Sequence, residues 1–248
     1  MIYLFAAVKL AFFVSYSVVI YLVWLIANPL IPNKIFWRQY IFQTWARRFV
    51  KLANIKIEVI GDLPSVPFFL VSNHLGYIDI PVLRSVLSAV FVAKRDIESW
   101  FVAGKMVGNM GNIYVDRNNR RDIPLATTKI EKAISRGEGV IVFPEGTSTK
   151  GETVYPFNSS FFEFPALTNI PVHYAAITYS TTPPDIPASE AVCWWDDISM
   201  LKHLWRFFTV SGAKALIQIN CETEKTDNRK ELAKKVHQDV LHIFIPVI

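Results

Sequence analysis

The chain has 248 residues, enough for one large domain, or a domain with an appendage, around a sizeable core. Its residues are 52% hydrophobic and only 19% charged, which is unusual for a freely soluble protein, and its two cysteines exclude a disulfide framework or a cysteine metal cluster. Of the net charge of +5, residues 1–60 carry +6, so the rest is nearly neutral. Basic character confined to the N-terminal part indicates anionic lipid head groups as the partner and argues against nucleic acid.

The first predicted element is an apolar helix. No residue from Leu10 to Pro32 carries a formal charge, and Pro29 and Pro32 are expected to end the helix. The apolar stretch of roughly 17–19 residues is at the lower limit for crossing a bilayer. A cleaved signal peptide is the alternative, but Lys9 is the one early charge and Ala27-Asn28-Pro29 makes a poor cleavage site. We therefore expect a retained membrane segment, which either crosses the bilayer or enters one leaflet.

A second helix is predicted from Asn33 to Leu52. Apolar residues recur there at spacings of four, four, four and three, namely Trp37, Ile41, Trp45, Phe49 and Leu52. The basic residues lie away from that stripe, namely Arg38, Arg47, Arg48 and Lys51. This pattern predicts a helix in the membrane interface on the cytoplasmic side. A surface helix packed on the globular domain is the alternative.

From residue 55 onwards strand and helix patterns alternate. Seven strands are predicted, at Ile55–Ile60, Pro67–Val71, Ala89–Lys94, Gly111–Val115, Gly139–Phe143, Val172–Tyr179 and Ala213–Asn220. Gly137 is expected to close a helix before the fifth strand, and Asp227 to cap the last helix. The alternation predicts an α/β fold, a mostly parallel or mixed sheet flanked by helices. We expect residues 1–54 to form an N-terminal two-helix membrane-binding motif and residues 55–248 to form the main domain.

A histidine and an aspartate follow the second predicted strand. The sequence there reads Asn73-His74-Leu75-Gly76-Tyr77-Ile78-Asp79. Polar groups that follow strands in α/β sheets collect at one edge, where ligands bind. His74 can take a proton from a hydroxyl while Asp79 fixes its tautomer. The spacing of five places His74 before the helix and Asp79 in its first turn. A capped helix start without catalysis is the alternative for this pair alone.

Two further strand ends carry polar side chains. One strand ends in Asp116-Arg117, and another runs into Phe143-Pro144-Glu145-Gly146-Thr147. In parallel strands the carboxyl ends meet at one edge, so His74, Arg117 and Glu145 are expected to share a cleft. Taken singly, Arg117 is also compatible with a solvated surface charge and Glu145 with a turn residue.

Together these blocks resemble the glycerolipid acyltransferase family that includes the 1-acylglycerol-3-phosphate acyltransferases. That family carries an Asn-His-x4-Asp motif, a block ending in an acid and an arginine, and a Phe-Pro-Glu-Gly-Thr motif. A weaker fourth block is similar to Ile170–Ile177. The resemblance spans roughly residues 65–180 in the family's order.

The resemblance implies a membrane-bound O-acyltransferase. His74 is then the general base, oriented by Asp79, and the acyl donor is acyl-CoA or acyl-carrier protein. Asn73, Arg117, Glu145, Gly146 and Thr147 are the implied substrate-binding residues. Arg117 is suited to a phosphate, and Glu145 with Thr147 is expected to position the acceptor. Backbone N–H groups near Gly146, or at the helix start after His74, are expected to stabilise the oxyanion.

One position departs from the family pattern. Many members continue the third motif with an arginine, whereas Ser148 stands there in this chain. The leading acceptor is 1-acyl-sn-glycerol 3-phosphate, which would give phosphatidate. Because this positive charge is missing, another lysolipid remains a candidate acceptor, either a lysophospholipid or a lyso-ornithine-type lipid.

Two other classes of function remain. A non-catalytic lipid-binding protein could keep the fold, although degenerate relatives usually lose the histidine or aspartate that this chain retains. A hydrolase is disfavoured because the Gly-x-Ser-x-Gly elbow is absent. No cofactor and no metal are expected, since no His/Cys cluster has ligand spacing. The expected partners are membrane lipids and the acyl donor, at the cytoplasmic face of the membrane, and the oligomeric state is open.

Overall fold

The computed structural model describes residues 2–99, 101–116, 122–222 and 226–247, with no account of the side chains of residues 101–103, 122 and 123. Two helices come first, α1 (Ile2–Ala27) and α2 (Lys34–Leu52). Asn33 caps α2, since its side-chain oxygen accepts the N–H of Phe36 at 3.0 Å. At 26 residues α1 is longer than predicted, about 39 Å at the helical rise.

One side of α1 packs on the rest of the protein and the remainder is exposed. Phe13 meets Phe49 of α2, with ring centroids 5.2 Å apart, and Phe208 at 6.1 Å. In the described residues α1 is the one helix long and apolar enough to cross a membrane, with a mean hydropathy of 2.3 over its best window. Its exposed apolar side chains include Leu4, Val8, Phe12, Val18, Leu22 and Ile26.

Seven strands of the described chain form one mixed sheet. They are β1 (Ile55–Ile60), β2 (Phe69–Ser72), β3 (Ala89–Lys94), β4 (Ile113–Val115), β5 (Gly139–Val142), β6 (Val172–Ser180) and β7 (Ala213–Glu222). The order across the sheet is β1-β7-β6-β2-β5-β3-β4. All neighbours are parallel except β6 and β7, so β7 and β1 run against the other five.

Helices cover both faces of the sheet. The remaining α-helices of the described chain are α3 (Asp79–Val86), α4 (Phe101–Asn109), α5 (Asp122–Ser135), α6 (Glu163–Thr168), α7 (Ala188–Ala191), α8 (Met200–Thr209) and α9 (Arg229–Ile243). Short 3₁₀ helices occupy Arg95–Ser99 and Ser159–Phe162.

Alternating strand residues feed two separate cores. On β2, Leu70 points into a core with side chains of α2, α3 and α8, whereas Phe69 and Val71 point into a core with side chains of α5, α6 and α9. Both faces of the central strands are therefore buried, which explains why β2 and β5 read as continuous apolar runs.

A segment after α9, residues 244–247, runs from one core to the other, with Phe244 in the core shared with α5, α6 and α9 and Val247 in the core shared with α2, α3 and α8. Thr178 of β6 donates its hydroxyl to the carbonyl of Ile245 at 2.7 Å, and the N–H of Val247 donates to the carbonyl of Gly151 at 2.8 Å. Val247 is buried, and a Cβ added to Gly151 would come within 2.6 Å of its side chain. Gly151 is held at φ +86°, where glycine is favoured. We call residues 244–247 the C-terminal strap.

The predicted α/β class and all seven predicted strands are confirmed, with ends shifted by at most two residues. Gly137 closes α5 as predicted, at φ +80°. The predicted cap of the last helix is wrong by one residue, because Asn228 and not Asp227 accepts the N–H groups of Lys230 and Glu231. Helix α2 packs on the globular domain through Ile41, Phe42, Ala46 and Phe49, as the alternative for that helix proposed.

Candidate active site

The polar segments predicted to share a cleft begin at one edge of the sheet. Strand β2 lies between β6 and β5, and all three are parallel. The segments that follow β2 and β5, residues 73–78 and 143–149, are therefore direct neighbours. Sequence order separates His74 from Glu145 by 71 positions, and the sheet brings them into hydrogen-bonding contact.

His74 and Asp79 form a hydrogen-bonded pair. The ring Nδ1 of His74 lies 2.8 Å from Oδ2 of Asp79, which is the first residue of α3 as the spacing predicts. The Asp79 side chain is fully buried, whereas 20% of the His74 side chain is exposed. A carboxylate on Nδ1 selects the tautomer with the proton there, which leaves the lone pair on Nε2. The imidazole is thus arranged to accept a proton through Nε2.

Backbone amides fix the Asp79 carboxylate. Oδ2 also accepts the N–H groups of Leu75 at 2.7 Å and of Gly76 at 3.1 Å. Of the amides expected to face an oxyanion, those of Leu75 and Gly76 are therefore committed to Asp79. The N–H of Gly146 is likewise committed, since it donates to the carbonyl of Phe143 at 3.3 Å.

Phenylalanine rings support the imidazole on one side. The ring of Phe143 stacks on His74 with centroids 4.2 Å apart and planes 15° apart. Phe91 of β3 stacks in turn on Phe143 at 6.0 Å. This wall and the Nδ1 hydrogen bond together fix the plane of the His74 ring.

Glu145 ties three backbone segments together. Its Oε1 accepts the N–H of His74 at 2.7 Å, and its Oε2 accepts the N–H of Tyr155 at 2.8 Å. Burial raises the pKa of this carboxyl to about 7, although the two N–H donors oppose the shift. Sequence reasoning expected Glu145 to position the acceptor, whereas in the structure both oxygens bind the protein's own backbone.

Asn73 is also occupied by the backbone. Its side-chain Oδ1 accepts the N–H of Ile177 at 2.7 Å, and its Nδ2 donates to the carbonyl of the same residue at 2.9 Å. The side chain is buried. Asn73 was expected among the substrate-binding residues, but this reciprocal pair gives it the role of holding the segment before His74 on β6.

The other expected binding residues have different surroundings. Gly146 is held at φ +83°, a conformation that explains glycine at this position. Thr147 is exposed, and its hydroxyl makes a long hydrogen bond of 3.4 Å to the carbonyl of Ser148. Arg117 lies outside the described residues. Asp116, just after β4, is three strands away from β2, or about 14 Å across the sheet.

A segment that the sequence analysis did not place, residues 192–199, packs on the His74 loop. The N–H of Trp194 donates to the carbonyl of Leu75 at 2.7 Å, and Ser148 donates its hydroxyl to the carbonyl of Trp194. A Cβ on Gly76 would come within 3.0 Å of the Trp194 nitrogen. The close approach explains the glycine in the motif.

A buried histidine connects this segment to the motif. The Tyr77 hydroxyl lies 2.9 Å from Nδ1 of His203, whose Nε2 lies 3.0 Å from the carbonyl of Cys193. Burial lowers the pKa of His203 to about 4 and raises the pKa of the Tyr77 hydroxyl. His203 is therefore neutral at pH 7, with Nε2–H donating to Cys193 and Nδ1 accepting from Tyr77. No local sequence signal marks His203, which lies 126 positions from Tyr77.

Within the described ranges, no three His, Cys, Asp or Glu side chains lie close enough together to hold a metal ion.

Comparison with known proteins places the chain among lipid-modifying enzymes. Residues 54–178, half of the chain, match the model of the family described as Acyltransferase. A lyso-ornithine lipid O-acyltransferase of Pseudomonas aeruginosa is 27% identical over 205 residues, which cover 82% of this chain and 78% of that protein. A 1-acyl-sn-glycerol-3-phosphate acyltransferase of Neisseria gonorrhoeae is 26% identical over 191 residues, which cover 75% and 74%.

A solved structure shares the fold. The crystal structure of the 1-acyl-sn-glycerophosphate acyltransferase PlsC from Thermotoga maritima matches with a TM-score of 0.70. The match covers 97% of this chain and 92% of that one at 19% identity. The likeness therefore includes the region of the N-terminal helices as well as the sheet.

Proposed function

The chain belongs to the acyltransferase family, and from this premise we propose that it transfers an acyl group from acyl-CoA or acyl-carrier protein to the free hydroxyl of a membrane lysolipid. The observation that carries the proposal is the His74–Asp79 pair, with Nδ1 held at 2.8 Å and Nε2 left to accept a proton. The relatives named above act on lysolipids, which supports this class of acceptor.

The chemistry needs no covalent acyl-enzyme, because the acceptor is itself the nucleophile. His74 Nε2 takes the proton of the acceptor hydroxyl as its oxygen attacks the thioester carbonyl carbon. The tetrahedral intermediate collapses with cleavage of the carbon–sulfur bond, and the thiolate leaves. The imidazolium returns its proton to that sulfur, so His74 ends neutral. Asp79 stabilises the imidazolium between the two transfers.

The leading acceptor is 1-acyl-sn-glycerol 3-phosphate, which would give phosphatidate. Two observations support it, namely the relative from Neisseria gonorrhoeae and Arg117 in the second block of the family pattern. In this proposal Arg117 binds the phosphate, and Thr147, which is exposed, contacts the acceptor.

Lyso-ornithine lipid is the second candidate acceptor, favoured by Ser148. A serine occupies the position of a family arginine, and its hydroxyl is committed to the carbonyl of Trp194. The site thus offers one cation fewer to a phosphate. The relative from Pseudomonas aeruginosa supports this candidate.

We propose that the enzyme works at the cytoplasmic face of the membrane. The exposed apolar side of α1 supports membrane association. The exposed basic residues Arg48 and Lys51 of α2 support contact with anionic lipids. The acyl chain of the acceptor would then stay in the leaflet while its hydroxyl reaches His74.

An acceptor screen tests the proposal. The purified full chain, in mixed micelles, is offered acyl-CoA or acyl-carrier protein with lysophosphatidate, lyso-ornithine lipid or lysophosphatidylethanolamine, and thiol release is recorded. We expect turnover with lysophosphatidate, and a loss of about 10²–10⁴-fold in His74→Ala. Transfer by His74→Ala at the parent's rate would contradict the general-base role. Lipid binding by the parent without any turnover would indicate a non-catalytic lipid-binding protein.

A further inference from the structure

A buried tyrosine contacts the aspartate of the catalytic pair. Tyr179, on β6, is 1% exposed, and its hydroxyl donates to Oδ1 of Asp79 at 2.9 Å. His74, Leu75 and Gly76 all bind the other oxygen, Oδ2. Within the described residues Tyr179 is therefore the donor that satisfies Oδ1.

We propose that Tyr179 is a positioning residue of the acyl transfer, whose hydroxyl holds the Asp79 carboxylate in place and sets how strongly it stabilises the protonated His74 ring. The proposal rests on the proposed function, because it concerns the proton acceptor of that reaction. It adds a residue from β6, which lies outside the motif from Asn73 to Asp79.

Burial makes this hydrogen bond important. The Asp79 side chain has no exposed surface, so water cannot replace a missing donor on Oδ1. An unsatisfied buried carboxylate oxygen carries the full desolvation cost, and a carboxylate held at one oxygen can rotate. Rotation of Asp79 would carry the hydrogen-bonded His74 ring with it and misplace Nε2.

The hydroxyl acts as a donor and keeps its proton. Burial and the neighbouring Asp79 charge raise the pKa of Tyr179 well above its ordinary value. Tyr179 is therefore neutral throughout the working pH range. A neutral donor can hold a carboxylate without cancelling the negative charge that the imidazolium needs.

Strand β6 holds both ends of the motif. Ile177 binds the side chain of Asn73 through its backbone, and Tyr179, two residues on, binds Asp79 through its side chain. The strand is paired with β2 on one side and β7 on the other, so it is a rigid support. The motif from Asn73 to Asp79 is thus fixed against one strand at its first and last residues.

The phenol also affects the electrostatics of the pair. A hydrogen bond to Oδ1 draws negative charge away from Oδ2, so its removal makes the carboxylate hold the imidazolium more strongly. Other titratable groups near Asp79 are Glu145 and the Cys193 thiol. These stay in place when Tyr179 changes, so a pH shift reports on the phenol.

The test compares Tyr179→Phe with Tyr174→Phe. The control removes the same atom from the same strand, at a buried residue on the opposite face of the sheet. We expect Tyr179→Phe to lower kcat about tenfold at the pH optimum, with KM for both substrates within about twofold. The midpoint of the acid side of the pH–rate profile should rise by roughly half to one pH unit. Tyr174→Phe should leave both quantities unchanged.

NMR spectra of the histidine rings test the same effect of Tyr179 on His74 without any turnover. The chain has five histidines, so ¹⁵N-histidine spectra can be assigned by comparison with His74→Gln. The ring of His74 should keep its proton to a higher pH in Tyr179→Phe. Site-specific 3-fluorotyrosine at position 179 strengthens the donor while keeping its shape, so the midpoint should then move the opposite way.

The outcomes separate this inference from the proposed function. Unchanged midpoints in both Tyr179 variants would overturn the positioning role, even if kcat falls, because that loss would be one of packing alone. If Tyr179→Phe does not fold, the fluorotyrosine variant still tests the positioning role through the direction in which the midpoint of its pH–rate profile moves. If His74→Ala is as active as the parent, the general base itself is wrong, whatever Tyr179 does.

Discussion

At the scale of single residues, Glu145 has a pKa displaced into the neutral range. Its carboxyl has a pKa of about 7, against 4.5 ordinarily, because it is buried. Between these values the folded protein holds a proton that the unfolded chain releases. The stability that this proton contributes is complete below pH 4.5 and is lost as the pH rises through 7.

Glu145→Gln should remove this pH dependence. We expect the free energy of unfolding of the parent to fall by about 2 kcal/mol, relative to the variant, between pH 5 and pH 8. Thermal or urea unfolding in detergent at the two pH values measures it. An equal pH dependence in both proteins would contradict the raised pKa.

His203 changes stability with pH in the opposite direction to Glu145, so the comparison with Glu145→Gln is needed. Its pKa of about 4 lies below the ordinary 6.5, so the stability it contributes is present above pH 6.5 and is lost as the pH falls toward 4. The pH ranges over which Glu145 and His203 alter stability overlap, and the two effects have opposite signs. The free energy of unfolding of the parent alone therefore shows little net change with pH. The difference between parent and Glu145→Gln isolates one carboxyl.

The site residues differ in how far the sequence could predict them. The spacing of His74 and Asp79 was sufficient to place them around a helix start, because both partners are local. The contacts of Glu145 could not be predicted, since its partners lie 71 and 10 positions away and are backbone groups. Tyr179 lies 100 positions from Asp79, and only the strand order brings it there.

At the scale of elements, a buried polar network attaches α2 to the catalytic domain. Arg84 of α3 donates to Gln39 at 2.9 Å, and Gln39 donates to Glu138 at 2.8 Å. Arg38 pairs with the same Glu138 carboxylate. Burial, helped by the nearby Arg38, lowers the pKa of Arg84 to about 9. The Glu138 carboxylate therefore balances the charge of two guanidinium groups, that of Arg38 directly and that of Arg84 through Gln39.

Glu138→Gln should be strongly destabilising. It leaves Arg38 and Arg84 without their acid, and breaking a buried pair costs about 3–5 kcal/mol. Thermal unfolding in detergent measures the loss. The control is Glu58→Gln on β1, whose partner Lys214 is half exposed, and which should change stability by less than about 1 kcal/mol. Equal effects of the two substitutions would show that the network does not hold α2.

Element positions were predictable and strand order was not. Apolar runs with turn residues at their ends predict all seven strands, because each signal is local. The order across the sheet and the reversed direction of β7 depend on pairings such as Ile55 with Ala213, which no local pattern encodes. The cap at Asn228 was missed because Asp227 has the same capping chemistry one position earlier.

At the scale of the whole molecule, α1 is an apolar helix with one face exposed. Val18 and Leu22, one turn apart, are each about half exposed. Replacing both by glutamate should lower partition into vesicles by at least about 100-fold, because a charge in the hydrocarbon costs about 3 kcal/mol. Sedimentation with vesicles containing anionic lipid measures this.

Leu167→Glu provides the control. This leucine is also exposed, but it lies on α6, on the other face of the sheet. We expect Leu167→Glu to bind vesicles as the parent does. If the α1 variant binds vesicles as well as the parent but forms a smaller oligomer than the parent, then α1 packs against a second copy of the chain.

The C-terminal strap makes the packing around Gly151 depend on the order in which the ribosome makes the chain. Helix α1 leaves the ribosome before Val247, which packs on Gly151 and follows Ala27 by 220 residues. At roughly 5–20 residues per second, the interval is about 10–45 seconds. During that time the growing chain already has the apolar helix α1 but lacks the strap that packs on Gly151. The contact between the strap and Gly151 therefore forms well after the apolar helix has been made, in every copy of the chain.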